Sequence, residues 1–524
     1  MRNSHKDTVL AVLLEGRKAG ELRISRSSWT LSYEPRYLAR DDASSLSLSL
    51  PLSFLPIQGT HVQDFFTGLL PQGATRRAWA DLYGLPKATP AALLPLVSMD
   101  ALGAVQLVPI ERLHDFQLET GDVTPAGPGQ LHTLVESLSF DAPSWTGLPG
   151  QWTLPGRRAK AAGCWDTGSW HFVTNGAAST HILKAAVTQA NATNLGEHVI
   201  LNAAQALDLP AATSEYVEVS GRSCIVSHRV DRYTQGIDVV RVHYESLAQA
   251  FATPTSSALE VEGGPTLADL SRLLRDRVLV GAARTDNERL LDYVLLHILC
   301  GCDEESASSF GLLEIREDIR LAPLVSASSA FFDPQKKAAG ITSSFALGNT
   351  RVVESLTAQD WQDTASSFGI SFDLLRARFL HLASTLPDAL ADEIRDYEGV
   401  DGWLALNQDL LELTVQRCRS IAASLMVSGA RRRKDGRGRL AGAPKDRAAL
   451  PSTTTTQPLA ASLPQPPQAQ PPELADKSPS LSALAALHLA ETNAQDTVGF
   501  QSSIFTKAEH LGTPRRGSGA SKAT

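Results

Sequence analysis

Thr180-His-Ile-Leu-Lys184 is a short β-type run that carries a lysine late in an apolar strand. Just beyond it, Gly196 to Leu207 sets Val199, Ile200, Ala203, Ala204 and Leu207 on one stripe, so a helix interrupts the strands. Glu197 lies on that helix and could pair with Lys184, the alternative being a solvated strand-end lysine and an exposed helix carboxylate. Further β-type runs surround this unit at Tyr216 to Val219, Cys224 to Ser227 and Val239 to His243. After Ser246 helices dominate: Asn287 to Cys300, Ala358 to Phe368, Phe372 to Ser384 and Trp403 to Met426. Thr357 and Ser371 stand where N-caps belong. A strand-rich lobe followed by a helical lobe predicts an α+β arrangement with a cleft between the lobes.

Upstream, residues 1–112 read as a compact, strand-rich unit. Val9 to Leu14 and Ala19 to Ile24 flank Glu15-Gly16, the pattern of a hairpin with Gly16 in the turn. Leu46-Ser-Leu-Ser-Leu50 alternates strictly and predicts a half-buried strand ended by Pro51. His61 to Leu70 spaces Val62, Phe65, Phe66, Leu69 and Leu70 as a helix does. Residues 113–150, rich in Pro, Gly and Ser, predict a loop-like connector into the second unit at 151–427, whose strand-rich lobe ends near 250.

Residues 428–524 differ in kind. Six basic residues fall between Arg431 and Arg439, followed by a Thr run and a Pro/Gln-rich stretch to Pro472. Such a segment has too little apolar surface to offset chain entropy, so the tail is expected to be disordered, with a short helix at Leu481 to Leu489. Its basic stretch could touch nucleic acid weakly and without sequence preference.

The whole chain has 524 residues and a net charge of -8, with 43% hydrophobic and 20% charged residues. That balance is of a globular protein and argues against a generally basic nucleic-acid binder. Five scattered cysteines do not form a disulfide framework, which points to a reducing compartment. Cys300-Gly301-Cys302 lacks zinc half-site spacing and has no second Cys/His pair near it in the sequence, so no metal is expected there. No apolar run approaches the ~20 residues of a membrane helix. A cytoplasmic protein without a membrane partner is the expectation.

Three segments of the first unit, Ser47-Leu-Ser-Leu-Pro-Leu52, Phe65-Phe-Thr-Gly-Leu-Leu-Pro71 and Asp100-Ala-Leu-Gly-Ala-Val105, resemble successive signatures of the HipA N-terminal subdomain. The second unit resembles the HipA kinase domain. Thr180 to Lys184 is similar to the strand bearing that family's nucleotide-binding lysine. Arg229-Val-Asp-Arg232, Glu245-Ser-Leu-Ala-Gln249 and Ala346-Leu-Gly-Asn349 through Trp361 are similar to further segments. The resemblance spans about Val9 to Met426. It implies a strand-rich N-terminal subdomain joined to a two-lobed protein-kinase-like domain, ATP-dependent Ser/Thr phosphorylation of toxin–antitoxin type, and a helix-turn-helix antitoxin as partner.

Phosphoryl transfer needs a lysine on the phosphates, oxygen ligands for Mg²⁺ and a carboxylate to take the hydroxyl proton. By resemblance Lys184 and Glu197 meet the first need. Thr153-Leu-Pro-Gly156-Arg-Arg-Ala-Lys160 is similar to the phosphate loop, with Gly156 and Lys160 retained, Arg158 in place of glutamine, and Thr153 at the autophosphorylated serine. The catalytic loop departs from the pattern. Cys300-Gly-Cys-Asp-Glu-Glu-Ser-Ala-Ser-Ser-Phe310 puts Glu304, or Asp303 after a one-residue slip, at the catalytic aspartate. Ser306, Ser308 and Ser309 replace the histidine, lysine and metal-binding asparagine. In Leu321-Ala-Pro-Leu-Val-Ser-Ala-Ser-Ser329 the Mg²⁺-binding aspartate is Ser326. A neutral hydroxyl is a poor substitute for a charged oxygen ligand, so Mg²⁺ is not expected although ATP still is a candidate ligand. Two classes remain: a pseudokinase acting by binding a partner, or a divergent serine/threonine kinase with Asp303 or Glu304 as base and Glu305 as an improvised metal ligand.

Overall fold

The computed structural model describes residues 7–431 apart from 120, 141–150, 167, 187–190, 236–237, 279–280 and 316–317. The expected disordered tail and its Leu481 to Leu489 helix therefore lie outside the described residues. Strands β1 (Thr8–Leu14), β2 (Arg17–Ile24), β3 (Trp29–Tyr33), β4 (Ile57–Gln58) and β5 (Val105–Pro109) form an antiparallel sheet in the order β4-β3-β2-β1-β5. Glu15 and Gly16, with φ of 52° and 74°, close the β1–β2 hairpin. Two left-handed residues in a two-residue loop match the twist of the strands, which is why glycine sits there. The helix Thr60–Thr67 buries Val62, Phe65 and Phe66, as its spacing predicts.

Leu46 to Leu50 is not a strand. A single bridge joins Ser47 to Leu50, and the segment is a tight turn with Leu46 and Leu50 fully buried. The Tyr33 hydroxyl donates to the Leu50 carbonyl (2.6 Å) and accepts from the Leu46 N–H (2.9 Å). Apolar alternation over five residues suits a turn that pins both ends inward as well as it suits a strand.

The connector is also more ordered than its composition predicts. Its strand β6 (Asp122–Pro125) is the edge of a six-stranded sheet, and the helix Pro128–Leu138 buries Leu134, Val135 and Leu138. That sheet continues through β7 (Ala161–Asp166), β8 (Ser169–Thr174), β9 (His181–Ala185), β10 (Ser214–Val219) and β11 (Arg222–His228), in the order β10-β11-β9-β7-β8-β6. The lysine-bearing strand β9 is thus interior, flanked by β11 and β7. Buried side chains from both sheets, among them Leu10, Leu22, Trp170 and Leu183, form one continuous core with Trp79 and Trp152 from the segments packed on them.

Below this body, β12 (Arg232–Gln235) and β13 (Asp238–Arg241) make a hairpin, and β14 (His243–Ser246), β15 (Gly311–Ile315) and β16 (Asp318–Leu321) a three-stranded sheet. The run expected at Val239 to His243 is therefore split between two strands. Helices Ala283–Leu299, Ala358–Ser367 and Phe372–Arg395 build the second core. Thr357 and Ser371 accept the N–H groups of Asp360 and Leu374, satisfying donors that a helix start leaves open. The segment expected as one helix after Trp403 is broken by a π-type turn at Leu406–Leu411 before Glu412–Arg431. Among the described residues no helix is long and apolar enough to cross a membrane.

Candidate active site

Lys184 projects from β9 and Glu197 from the helix Asn191–Ala206, which packs on the neighbouring strands β10 and β11. The lysine donates to Glu197 Oε1 at 2.5 Å, and both side chains are almost wholly withdrawn from water. Arg158 reaches the other oxygen at 3.1 Å and also bonds Asn194 and the Ala185 carbonyl. Burial alone would raise the Glu197 carboxyl; the cations Lys184 and Arg158 outweigh it and hold the group at about 2. Ser326 completes the cluster by donating its hydroxyl to Glu197 Oε1 at 2.8 Å. Residues from four separated segments therefore meet at one carboxylate.

The phosphate-loop segment is docked against the N-terminal unit. Gly156 lies at φ +106° and pairs with Pro71, where its carbonyl accepts from the Gln72 N–H at 2.9 Å. A Cβ on Gly156 would meet only the mobile end of Lys160, at 2.9 Å from Nζ, so it is the left-handed backbone more than lack of space that favours glycine there. Lys160 donates to the Pro155 carbonyl at 2.7 Å, and burial, with the nearby Lys184 charge, pushes its amine down to about 7. Thr153 is fully buried. Its hydroxyl donates to the Leu69 carbonyl at 2.9 Å and its N–H to the Asp100 carbonyl at 2.9 Å, so it is not presented to solvent.

At the catalytic-loop positions, Lys336 takes both acidic candidates, Asp303 at 3.0 Å and Glu304 at 2.6 Å. Ser309 accepts the Ser306 N–H at 3.1 Å, and Ser306 accepts that of Ser308 at 3.1 Å, so these hydroxyls close a turn of their own loop. Ser326 and Ser309, the two expected metal-ligand positions, thus carry neutral oxygens engaged with protein groups.

A second polar cluster was marked in the sequence only as signatures without roles. Asp100 is buried among Arg232 (2.9 Å), Arg241 (3.3 Å) and Arg229 (3.4 Å), and accepts from the Ser179 hydroxyl at 2.6 Å. Asp231 pairs with Arg229 at 2.7 Å and Arg232 at 3.0 Å, and accepts the Gly103 N–H at 2.6 Å. Burial opposes ionisation at Asp100, but the arginines hold its carboxyl far below the usual range. Glu245 accepts from Ser47 Oγ (2.5 Å) and the Leu48 N–H (3.1 Å) in a second contact of the same kind. The acid of Asp100-Ala-Leu-Gly-Ala-Val105 and the bases of Arg229-Val-Asp-Arg232 were the available signal: these motifs fasten the N-terminal unit to the second unit.

The HipA N-terminal domain family matches residues 10–108 and the HipA-like C-terminal domain family residues 152–392. The candidate kinase Y4mE of Sinorhizobium fredii is 29% identical over 395 residues, which cover 74% of this chain and 92% of Y4mE. Among solved structures, the chain is similar to a complex of the Shewanella oneidensis toxin–antitoxin proteins HipA and HipB with operator DNA. The TM-score is 0.66 at 18% identity, covering 80% of this chain and 97% of the matched one.

Proposed function

The chain belongs to the HipA family, and we propose that within it this protein is a catalytically inactive kinase-fold member of toxin–antitoxin type, acting by binding a partner. The observation that carries this reading is the Ser326–Glu197 hydrogen bond. Where the family pattern places a charged Mg²⁺ ligand, a neutral hydroxyl instead completes a buried ion-pair cluster. Kinase catalysis is mostly electrostatic stabilisation of the transferring phosphoryl group, and the metal supplies much of it. The Lys184–Glu197 pair that such folds use to hold a nucleotide is kept, so we propose ATP as a ligand bound by Lys184, Gly156 and Lys160 with little help from Mg²⁺. Use of Asp303 or Glu304 as general base is disfavoured by their shared pairing with Lys336, whose ammonium already occupies both carboxylates.

For the partner we propose a small helix-turn-helix protein, since the similar Shewanella protein is found with HipB on operator DNA. Its gene would lie next to this one. Co-purification of the two proteins tests the binding half of the reading, and failure of the co-expressed pair to associate would refute it.

A further inference from the structure

The helix Ala283–Leu299 delivers His297 in its last turn, and the chain then doubles back through Cys302 and Glu305 toward β15. One ligand atom from each of His297, Cys302 and Glu305 lies within 4.8 Å of the other two. All three are buried, His297 at 4%, Cys302 at 3% and Glu305 at 7% exposure. Neither imidazole nitrogen of His297 has a hydrogen-bond partner, although its ring packs beside Phe310 at 5.8 Å between centroids. A buried imidazole with two unsatisfied nitrogens is costly and calls for a ligand.

We propose that His297, Cys302 and Glu305 form a binding site for a zinc-class divalent cation, at the root of the replaced catalytic loop, which itself carries Cys302 and Glu305. The donor set selects the metal. A thiolate and an imidazole favour Zn²⁺ over Mg²⁺, which takes oxygen ligands. A divalent ion with one thiolate, one carboxylate and a neutral imidazole carries no net charge, the state that a buried site tolerates best. Around a tetrahedral ion with bonds of about 2.0–2.3 Å, ligand atoms stand about 3.3–3.8 Å apart. The present separations, none above 4.8 Å, need a closure of at most about 1.5 Å to reach that range. The ligands fall at positions i, i+5 and i+8, so the chelated loops are short and cost little entropy to close. Three protein ligands leave a fourth position for water. The cation would pin residues 297–305, and this holds whether or not the chain transfers phosphate.

The test uses the purified full chain, stripped with a chelator and titrated with Co²⁺, Zn²⁺ or Mg²⁺. The expected result is one Co²⁺ per chain with a thiolate-to-cobalt charge-transfer band, displaced by Zn²⁺ and not by Mg²⁺. Cys302→Ser should abolish the band, and Cys300→Ser should leave it. Glu305→Gln, which keeps the side-chain shape if Cys302→Ser fails to fold, should weaken Co²⁺ binding. Absence of stoichiometric Co²⁺, a band that survives Cys302→Ser, or unchanged affinity in Glu305→Gln would each overturn the site.

Discussion

Ser326 Oγ donates to Glu197 Oε1 at 2.8 Å, on the same oxygen that receives the Lys184 ammonium. Putting a carboxylate back at 326 would set a second negative charge beside Glu197 in a cluster whose cations are already engaged. Ser326→Asp alone is therefore expected to give no phosphotransfer, because groups that act as a unit do not restore function singly. An assay of Ser326→Asp beside the unmodified chain checks this, and activity above that of the unmodified chain would contradict it.

ATP binding should depend on Lys184 and hardly on Mg²⁺. Calorimetry of the full chain should give similar affinities with Mg²⁺ and with chelator, and Lys184→Ala should weaken binding about tenfold or more, as expected when a charge-assisted contact worth ~1.5–3 kcal/mol is removed. A large gain on adding Mg²⁺ would mean that oxygen ligands other than Ser309 and Ser326 hold the metal.

Asp100→Ala should destabilise the protein by about 3–5 kcal/mol, because it leaves the buried Arg229 and Arg232 sharing the single carboxylate of Asp231 and takes the carboxylate from Arg241. Gly103→Ala should be damaging for a different reason: at φ +72° its Cβ would lie 2.5 Å from the Tyr244 carbonyl oxygen. Denaturant unfolding of both variants measures this, and near-native midpoints would refute the fastening role of the two signatures.

The stabilisation supplied by the protonated Glu245 and Glu314 carboxyls should fall as pH rises through roughly 5–7, against the opposite trend from the buried imidazoles of His181, His198 and His243, which burial holds below the usual histidine range. Burial raises the Glu245 carboxyl to about 7 against 4.5 for the free group, and burial together with Glu245 raises Glu314 to about 8. In that window the folded state holds protons that the unfolded chain has released, so the stabilisation present below 4.5 is lost as pH climbs. Relative to the unmodified chain, Glu245→Gln should gain on the order of 1 kcal/mol per pH unit across that window. Unfolding curves of both proteins at pH 5, 6 and 7 with parallel slopes would count against it.

What could be read from the residues alone was mainly what is local. The Glu15-Gly16 hairpin and the Thr357 and Ser371 caps depend on neighbours in sequence, and each lies where its pattern places it. Leu46 to Leu50 was misread because its decisive partner, Glu245, lies 198 residues from Ser47. The same holds at the site. Lys184 and Glu197 are 13 residues apart and on adjoining elements, and their pairing was legible. The hydroxyl of Ser326, 129 residues from Glu197, entered only through folding, as did the engagement of Asp303 and Glu304 by Lys336. Glu305 reads in the sequence only as an improvised metal ligand of a divergent kinase and Cys302 only as part of a motif without zinc spacing; their grouping with His297 depends on a helix end that turns back on itself.

The central claim, that this HipA-family chain does not transfer phosphate, is tested most directly by incubating the purified full-length protein with radiolabelled ATP, Mg²⁺ and a generic protein substrate. Label is followed by mass spectrometry at Thr153 and on the substrate, with Lys184→Ala as control and Glu304→Asp, Ser309→Asn, Ser326→Asp as the combined restoration. The account predicts no label from the unmodified chain, in keeping with the buried Thr153 hydroxyl and the neutral oxygens at 309 and 326. Mg²⁺-dependent transfer by the unmodified chain that disappears in Lys184→Ala would contradict it and establish a divergent kinase.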